Sequence, residues 1–260
     1  MRSIDPAGQA IGLVNLGSDP KKSVDFISDL HLQNAEPATF SAWQRYMHTT
    51  PADAVFILGD LFEVWVGDDV LQERGFEYEC AQVIAQTAAQ KPVFLMHGNR
   101  DFLVGQGLTK ACRASLLSDP TVLTFFDQRW LLSHGDALCV EDTAYMAFRQ
   151  QVRSDEWQQD FLAKPLAERQ AIARSLRQQS EGLKKSGTHY ADVDAQAARQ
   201  LLHSANANTL IHGHTHKPAT HDLGDGLQRI VLSDWDAAAT PPRAEVMRLS
   251  ANGLQRISAL

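Results

Sequence analysis

The stretch VFLMHGNRDF, residues 93–102, passes from four apolar residues into a polar knot with no gap between them. A short apolar run bounded by glycine and aspartate reads as a buried strand ending in a turn. Gly98 marks the place where the backbone must turn, and an amide, a guanidinium and a carboxylate emerge together beyond it. The same ending recurs along the chain. Val24–Ile27 leads to Ser28-Asp29-Leu30-His31, and Val55–Leu58 leads to Gly59-Asp60-Leu61-Phe62-Glu63. Trp130–Leu132 leads to Ser133-His134-Gly135-Asp136, and Thr209–Ile211 leads to His212-Gly213-His214-Thr215-His216.

Helix-period segments near 38–48, 73–90, 142–153 and 189–203 fall among these runs. Alternating strand and helix predicts an α/β layered fold that collects its ligands at the carboxyl ends of the strands. Beyond His216, runs at 228–232, 244–249 and 254–258 predict closing strands, with turns at Asp225-Gly226 and Asn252-Gly253. Residues 1–22 read as a loose N-terminal extension, and 23–260 as one domain.

With 260 residues, 44% hydrophobic and 21% charged, the chain has material for one large core. A formal charge of -7 argues against nucleic acid as a partner, which calls for a basic face. Cys80, Cys112 and Cys139 are far apart and form no Cys-x-x-Cys pair, so neither a disulfide framework nor a zinc knuckle is expected. No apolar run approaches the ~18 residues that span a bilayer.

The strand ends carry the chemistry. Residues i and i+2 of an extended segment point the same way, so Asp29 pairs with His31 and His214 with His216. Asp60, Asn99 and His134 complete seven candidate ligands, all oxygen or nitrogen. One ion needs fewer, whereas two ions sharing a bridging carboxylate would use them all. A set without thiolates points to Mn, Fe or Zn in a hydrolytic pair, suited to in-line displacement at phosphorus by hydroxide. His97 and His212 fall inside their strands and read as packed or supporting histidines.

Asp29-x-His31, Gly59-Asp60-x2-Glu63, Gly98-Asn99-x-Asp101, His134-Gly135-Asp136 and Gly213-His214-x-His216 together resemble the calcineurin-like metallophosphoesterase superfamily. The resemblance implies a four-layer α/β/β/α metallophosphoesterase sandwich and a dinuclear site. Asp29, His31, Asp60 and His216 would hold one metal, and Asp60, Asn99, His134 and His214 the other. Gly98-Asn99-Arg100-Asp101 departs from the superfamily's Gly-Asn-His-Asp/Glu. That departure, with residues 57–69 and 134–149, resembles the UDP-2,3-diacylglucosamine hydrolase family of lipid A biosynthesis.

The family reaction explains the arginine. An alkoxide leaving group needs an acid such as histidine. A pyrophosphate expels a phosphate monoester with a second pKa of about 6, which leaves without a proton. A fixed planar cation on the phosphoryl oxygens is then the useful group. The plain alternative is a surface arginine paired to Asp101. Asp60, Asn99, Arg100 and His214 are thus the expected catalytic residues.

From Arg149 to Gly187 eight basic residues face five acidic ones, a local charge of +3 against -10 elsewhere. Trp157, Phe161, Leu162, Leu166, Ile172, Leu176 and Leu183 run through the same segment, several at helical spacing. An amphipathic helical pair packed on the sandwich would explain the pattern. The resemblance favours a helical cap insert at about 149–203, covering the metals and housing two acyl chains. It implies two Mn2+ ions and substrate contacts from Asn99, Arg100, Asp142, Arg177, Ser180, Lys184, Lys185 and His214. It further implies a monomer bound peripherally to the anionic cytoplasmic face of the bacterial inner membrane. The rival readings are a phosphoesterase for a soluble nucleotide pyrophosphate or diester, and a scaffold without turnover.

Overall fold

The computed structural model describes residues 4–6, 8–185 and 191–260, without the side chains of 178–185. In chain order the strands are β1 (Gly12–Asn15), β2 (Val24–Ile27), β3 (Ala54–Leu58), β4 (Val93–Met96), β5 (Ser115–Leu117), β6 (Thr121–Phe125), β7 (Gln128–Ser133), β8 (Thr209–His212), β9 (Ala219–Gly224), β10 (Leu227–Val231), β11 (Glu245–Ser250) and β12 (Gly253–Ser258). The helices are α1 (Pro37–Thr49), α2 (Phe76–Ala88), α3 (Gln106–Cys112), α4 (Thr143–Val152), α5 (Asp155–Leu162), α6 (Leu166–Lys185) and α7 (Ala195–Ala205).

Two six-stranded sheets result, ordered β12-β11-β2-β3-β4-β5 and β1-β6-β7-β8-β10-β9. Strand alternation assigns each side chain to a layer. Phe26, Phe56, Leu58 and Met96 point into the space between the sheets, where they meet Leu123, Phe125, Leu132, Ile211 and Ile230. Ile27, Val55, Ile57 and Leu95 point the other way, onto Trp43 and Met47 of α1 and Cys80 and Ile84 of α2. Val122, Leu131 and Leu210 cover the far face of the second sheet with Ala198, Leu201 and Leu202 of α7. This is the four-layer α/β/β/α sandwich. Because β2, β3 and β4 run parallel, their carboxyl ends share one rim, and β7 and β8, also parallel, bring theirs to it.

Three sequence expectations need correction. Gly12–Asn15, inside the stretch expected to be loose, pairs in parallel with β6. Gly12 and Asn15 obscure a strand only four residues long, whose Gly12 lies against Thr121 so closely that a Cβ would meet its Oγ1 at 2.2 Å. The helix expected over 73–90 starts later, as α2 at Phe76, because a 3-10 turn at Asp68–Glu73 ends at Arg74, whose φ is +51°. Finally, α7 belongs to the outer layer and not to a cap, because its apolar face packs on the second sheet. The inserted cap helices are α4, α5 and α6. Among the described residues no helix is long and apolar enough to cross a membrane.

One buried charge anchors the first sheet. Asp25, inside β2, is fully buried and accepts hydrogen bonds from Tyr46, Thr50 and both prongs of Arg248 at 2.7 and 2.8 Å. Arg248 lies directly opposite on β11. Removing one partner of such a pair strands the other without its solvation. Arg248→Leu is expected to lower stability by about 3 kcal/mol in urea unfolding. Adding Asp25→Asn should restore part of that loss.

Candidate metal centre

All seven sequence-predicted ligands meet at the shared rim. Asp29 and His31 follow β2, Asp60 follows β3, Asn99 follows β4, His134 follows β7, and His214 and His216 follow β8. Backbone bonds continue the β2–β3 pairing past the strands: His31 N–H donates to Asp60 O and Leu32 N–H to Leu61 O. Asp29, His31, Asp60, His214 and His216 all have positive φ, between 48° and 68°. A non-glycine residue in that region is strained by about 1–3 kcal/mol and persists only where its surroundings enforce it.

The donors are close enough to share ions. Donor atoms of Asp29, His31 and His216 lie within 4.8 Å of one another, and so do those of Asp29, Asp60 and His134. His31 Nε2 is 3.2 Å from His216 Nε2, and His216 Nε2 is 3.3 Å from Asp29 Oδ1. Asn99 Oδ1 is 2.8 Å from His214 Nδ1 and 3.0 Å from His134 Nε2. The outward nitrogens have partners of different kinds: His134 Nδ1–H donates to Leu58 O at 2.9 Å, and His31 Nδ1 lies 2.9 Å from Glu63 Oε2 as an ion-pair contact. With Nδ1–H of His134 donating to Leu58 O, its Nε2 faces Asn99 and the cluster, where a divalent ion would take the place of a proton.

Electrostatics point the same way. Burial opposes charge on His134, yet Asp60, Asp29 and Asp136 outweigh it and raise its pKa to about 9. Burial also opposes charge on His31, which Glu63, Asp60 and Asp29 nevertheless raise. Burial pushes Asp60 up, and the neighbouring Asp101 and Asp29 add to it despite His134 and His31. Asp29 is also penalised by burial but is held low by His216, His134 and His31. Burial, with His134 against it, drives His214 down to about 3. Buried carboxylates and imidazoles that hold protons between them present the donor set a divalent ion takes in exchange for those protons.

Two glycines permit the convergence by having no side chain. A Cβ on Gly98 would lie 2.1 Å from Asp60 Oδ1 and 2.3 Å from Asp60 N. A Cβ on Gly213 would lie 2.2 Å from Asp29 Oδ2. Gly98 therefore serves close approach; it is absent from the positive-φ glycines and makes no special turn.

Other expected residues fall as follows. Arg100 lies at the rim, 3.2 Å from Glu63 Oε1. It does not pair with Asp101, which is buried and accepts from the N–H groups of Gly98 and Leu61 at 2.7 and 2.8 Å. His97 is packed against Val104 O and His212 against Gly213 O, as supporting residues. Arg177 reaches Glu63 Oε1 at 3.3 Å from α6, and Asp142 caps α4 by accepting from Tyr145 N–H. Both line a cavity of about 480 Å³ above the cluster, closed by Phe148, Trp157, Phe161 and Leu176 of the cap. Ser180, Lys184 and Lys185 lie outside the described side chains.

Asp136 and Glu63 stand inside the motifs, where residue type and spacing alone assign them no role. Asp136, fully buried, accepts from Tyr145 O–H at 2.6 Å and Arg149 Nε–H at 2.8 Å. Burial works against its charge, but Arg153, Arg149 and His134 keep it far below the usual carboxylate range. Tyr145 stacks on His214 with centroids 6.0 Å apart, and Arg153 donates to Gly98 O at 2.9 Å. The spacing Tyr145, Arg149, Arg153 is one helix face, a signal available in the sequence.

The profile of the calcineurin-like phosphoesterases matches residues 22–218. The chain belongs to this family. Among its relatives, the UDP-2,3-diacylglucosamine hydrolase of Chromobacterium violaceum is 48% identical, over 82% of this chain and 90% of that one. Those named the same in Aeromonas hydrophila and Cellvibrio japonicus are 44% and 41% identical, over 81% and 83% of this chain and 89% and 95% of theirs. A dimetal phosphatase from Danio rerio superposes with a TM-score of 0.48 at 13% identity, covering 93% of this chain and 100% of that one.

A calcineurin-like phosphoesterase is a metal-dependent hydrolase, and the donor set of this one fits divalent cations. Gly98→Ala tests that fit without touching a ligand. It should lower divalent-metal affinity, measured by titration calorimetry, roughly 10–100-fold, as disturbing the support of a ligand does.

Proposed function

We propose that this chain hydrolyses the pyrophosphate bond of UDP-2,3-diacylglucosamine, yielding UMP and 2,3-diacylglucosamine 1-phosphate in lipid A biosynthesis. The carrying observation is one of placement. The polar donor cluster opens directly into a cavity whose opposite wall is apolar and belongs to the cap. A substrate with a diphosphate at one end and acyl chains at the other matches both halves, and relatives 40–48% identical carry the name of that activity.

Two Mn2+ ions are the cofactors of this reading, one held by Asp29, His31, Asp60 and His216, the other by Asp60, Asn99, His134 and His214. When bound they would activate water and neutralise phosphoryl charge. The chain's own residues do the rest. Arg100 sets a fixed cation beside the cluster, where it can meet the phosphoryl oxygens and strengthen its hold as charge develops. Arg177 brings a second guanidinium from α6. Asn99, pinned between His214 and His134, keeps its amide N–H2 for a phosphoryl oxygen. His214 keeps Nε2 for the same purpose, its pKa depressed by burial. The leaving phosphate monoester needs no proton at neutral pH.

Leu162, apolar, exposed and outside the cavity lining, suits contact with a bilayer surface. By resemblance alone, the reading extends to a monomer working peripherally at the cytoplasmic face of the inner membrane.

The test is product analysis with purified protein, Mn2+ and UDP-2,3-diacylglucosamine in detergent micelles. UMP should appear, vanish with EDTA and return with Mn2+. Arg100→Ala should lower kcat roughly 100-fold, the loss expected for one transition-state donor. No UMP, with rapid cleavage of a soluble dinucleoside polyphosphate, would overturn the lipid substrate.

A further inference from the structure

Glu63 touches three groups of different purpose. Its Oε2 lies 2.9 Å from Nδ1 of the candidate ligand His31. Its Oε1 lies 3.2 Å from Arg100 and 3.3 Å from Arg177 Nε of the cap helix α6. The residue is 7% exposed, so these contacts stand largely out of water. Its backbone is fixed as firmly as its side chain: Glu63 N–H donates to Leu32 O at 3.2 Å, and Phe62 bridges Leu32 in parallel. That extension of the β2–β3 ladder sets Glu63 beside His31. Two residues on, Trp65 N–H donates to Arg100 O, which sets the same loop beside the arginine.

We propose that Glu63 is a positioning residue that ties the cap and the cationic clamp to the metal centre. All three partners present nitrogens at ion-pair distance, and a carboxylate has an oxygen to turn to each side. Through Oε2, Glu63 keeps the Nδ1 edge of His31 turned toward itself, which leaves Nε2 facing Asp60 and the cluster. Through Oε1 it gathers two guanidinium groups that would otherwise repel, and aims them at one point of the cavity rim. Arg177 belongs to α6, so seating the cap and assembling the clamp become one event.

The claim rests on the proposed pyrophosphate substrate for its clamp half, and on geometry alone for its hold on His31. Glu63→Gln is the informative variant, nearly isosteric but with one acceptor oxygen for three donors. If Glu63 merely packs, glutamine should serve. On the proposal, kcat/KM for UDP-2,3-diacylglucosamine falls roughly 10–100-fold while the thermal midpoint stays within a few degrees, and Arg177→Ala costs far less in the Glu63→Gln background than in the wild type. Activity within twofold of wild type, or equal cost of Arg177→Ala in both backgrounds, overturns it. Mn2+ affinity measured by calorimetry on Glu63→Ala separates the two halves: a fall of about tenfold or more supports the hold on His31 even if the wild type releases no UMP, and unchanged affinity refutes it.

Discussion

Asp29 and Asp60 leave water almost completely, at 0% and 2% exposure, with His134 fully buried beside them. Carboxylates in that state need positive charge at close range, because the interior does not replace their hydration. Imidazolium protons supply some of it, and a divalent ion supplies more at the same points. Much else follows from bringing these groups together. The strand ends must approach until a single Cβ would strike a ligand, Gly98 that of the neighbouring strand and Gly213 that of the other sheet. Five ligand residues must accept left-handed backbone angles. The strain is borne by the ladder bonds around them and by Asp101, which gathers backbone N–H groups from both flanking loops.

The cap is attached to this centre and not merely laid over it. Tyr145, Arg149 and Arg153 descend from one face of α4 to Asp136, and Arg153 also reaches Gly98 O. At the other end, Arg169 of α6 is buried and bonds to Val66 O, Asp69 and Lys164 O. Glu63 adds a third tie through Arg177. Four of the insert's eight cations, Arg149, Arg153, Arg169 and Arg177, therefore turn to acids of the domain below the cap. Fewer remain for an anionic surface than the local charge suggests.

The site was legible because its donors cluster at strand ends, where spacing and residue type speak together. Asp-x-His and His-x-His read as a strand's period of two, whereas these residues lie past the strands in left-handed backbone: Asp29 and His31 still come within 4.0 Å, while His214 turns to Asn99 and His216 to His31. Glu63 and Asp136 were harder, because their meaning lies in contacts across the sheet and into the cap; only the helical face of Tyr145, Arg149 and Arg153 hinted at one of them. In the fold, β2, β3, β4, β7 and β8 showed as apolar runs, but buried β6 did not, its run interrupted by Thr121 and Thr124, and β5 and β9 are edge strands whose half-exposed residues lack that signature. β1 was lost to its glycine and asparagine. Asp25 looked out of place inside an apolar run, and its justification, Arg248, lies 223 residues away.

Anomalous diffraction from crystals grown with Mn2+ tests the central claim most directly. Two peaks about 3.5–4 Å apart with Asp60 between them, and the other donors divided as proposed, are the expected result. One peak, or ions bound elsewhere with these donors still paired to each other, would contradict it.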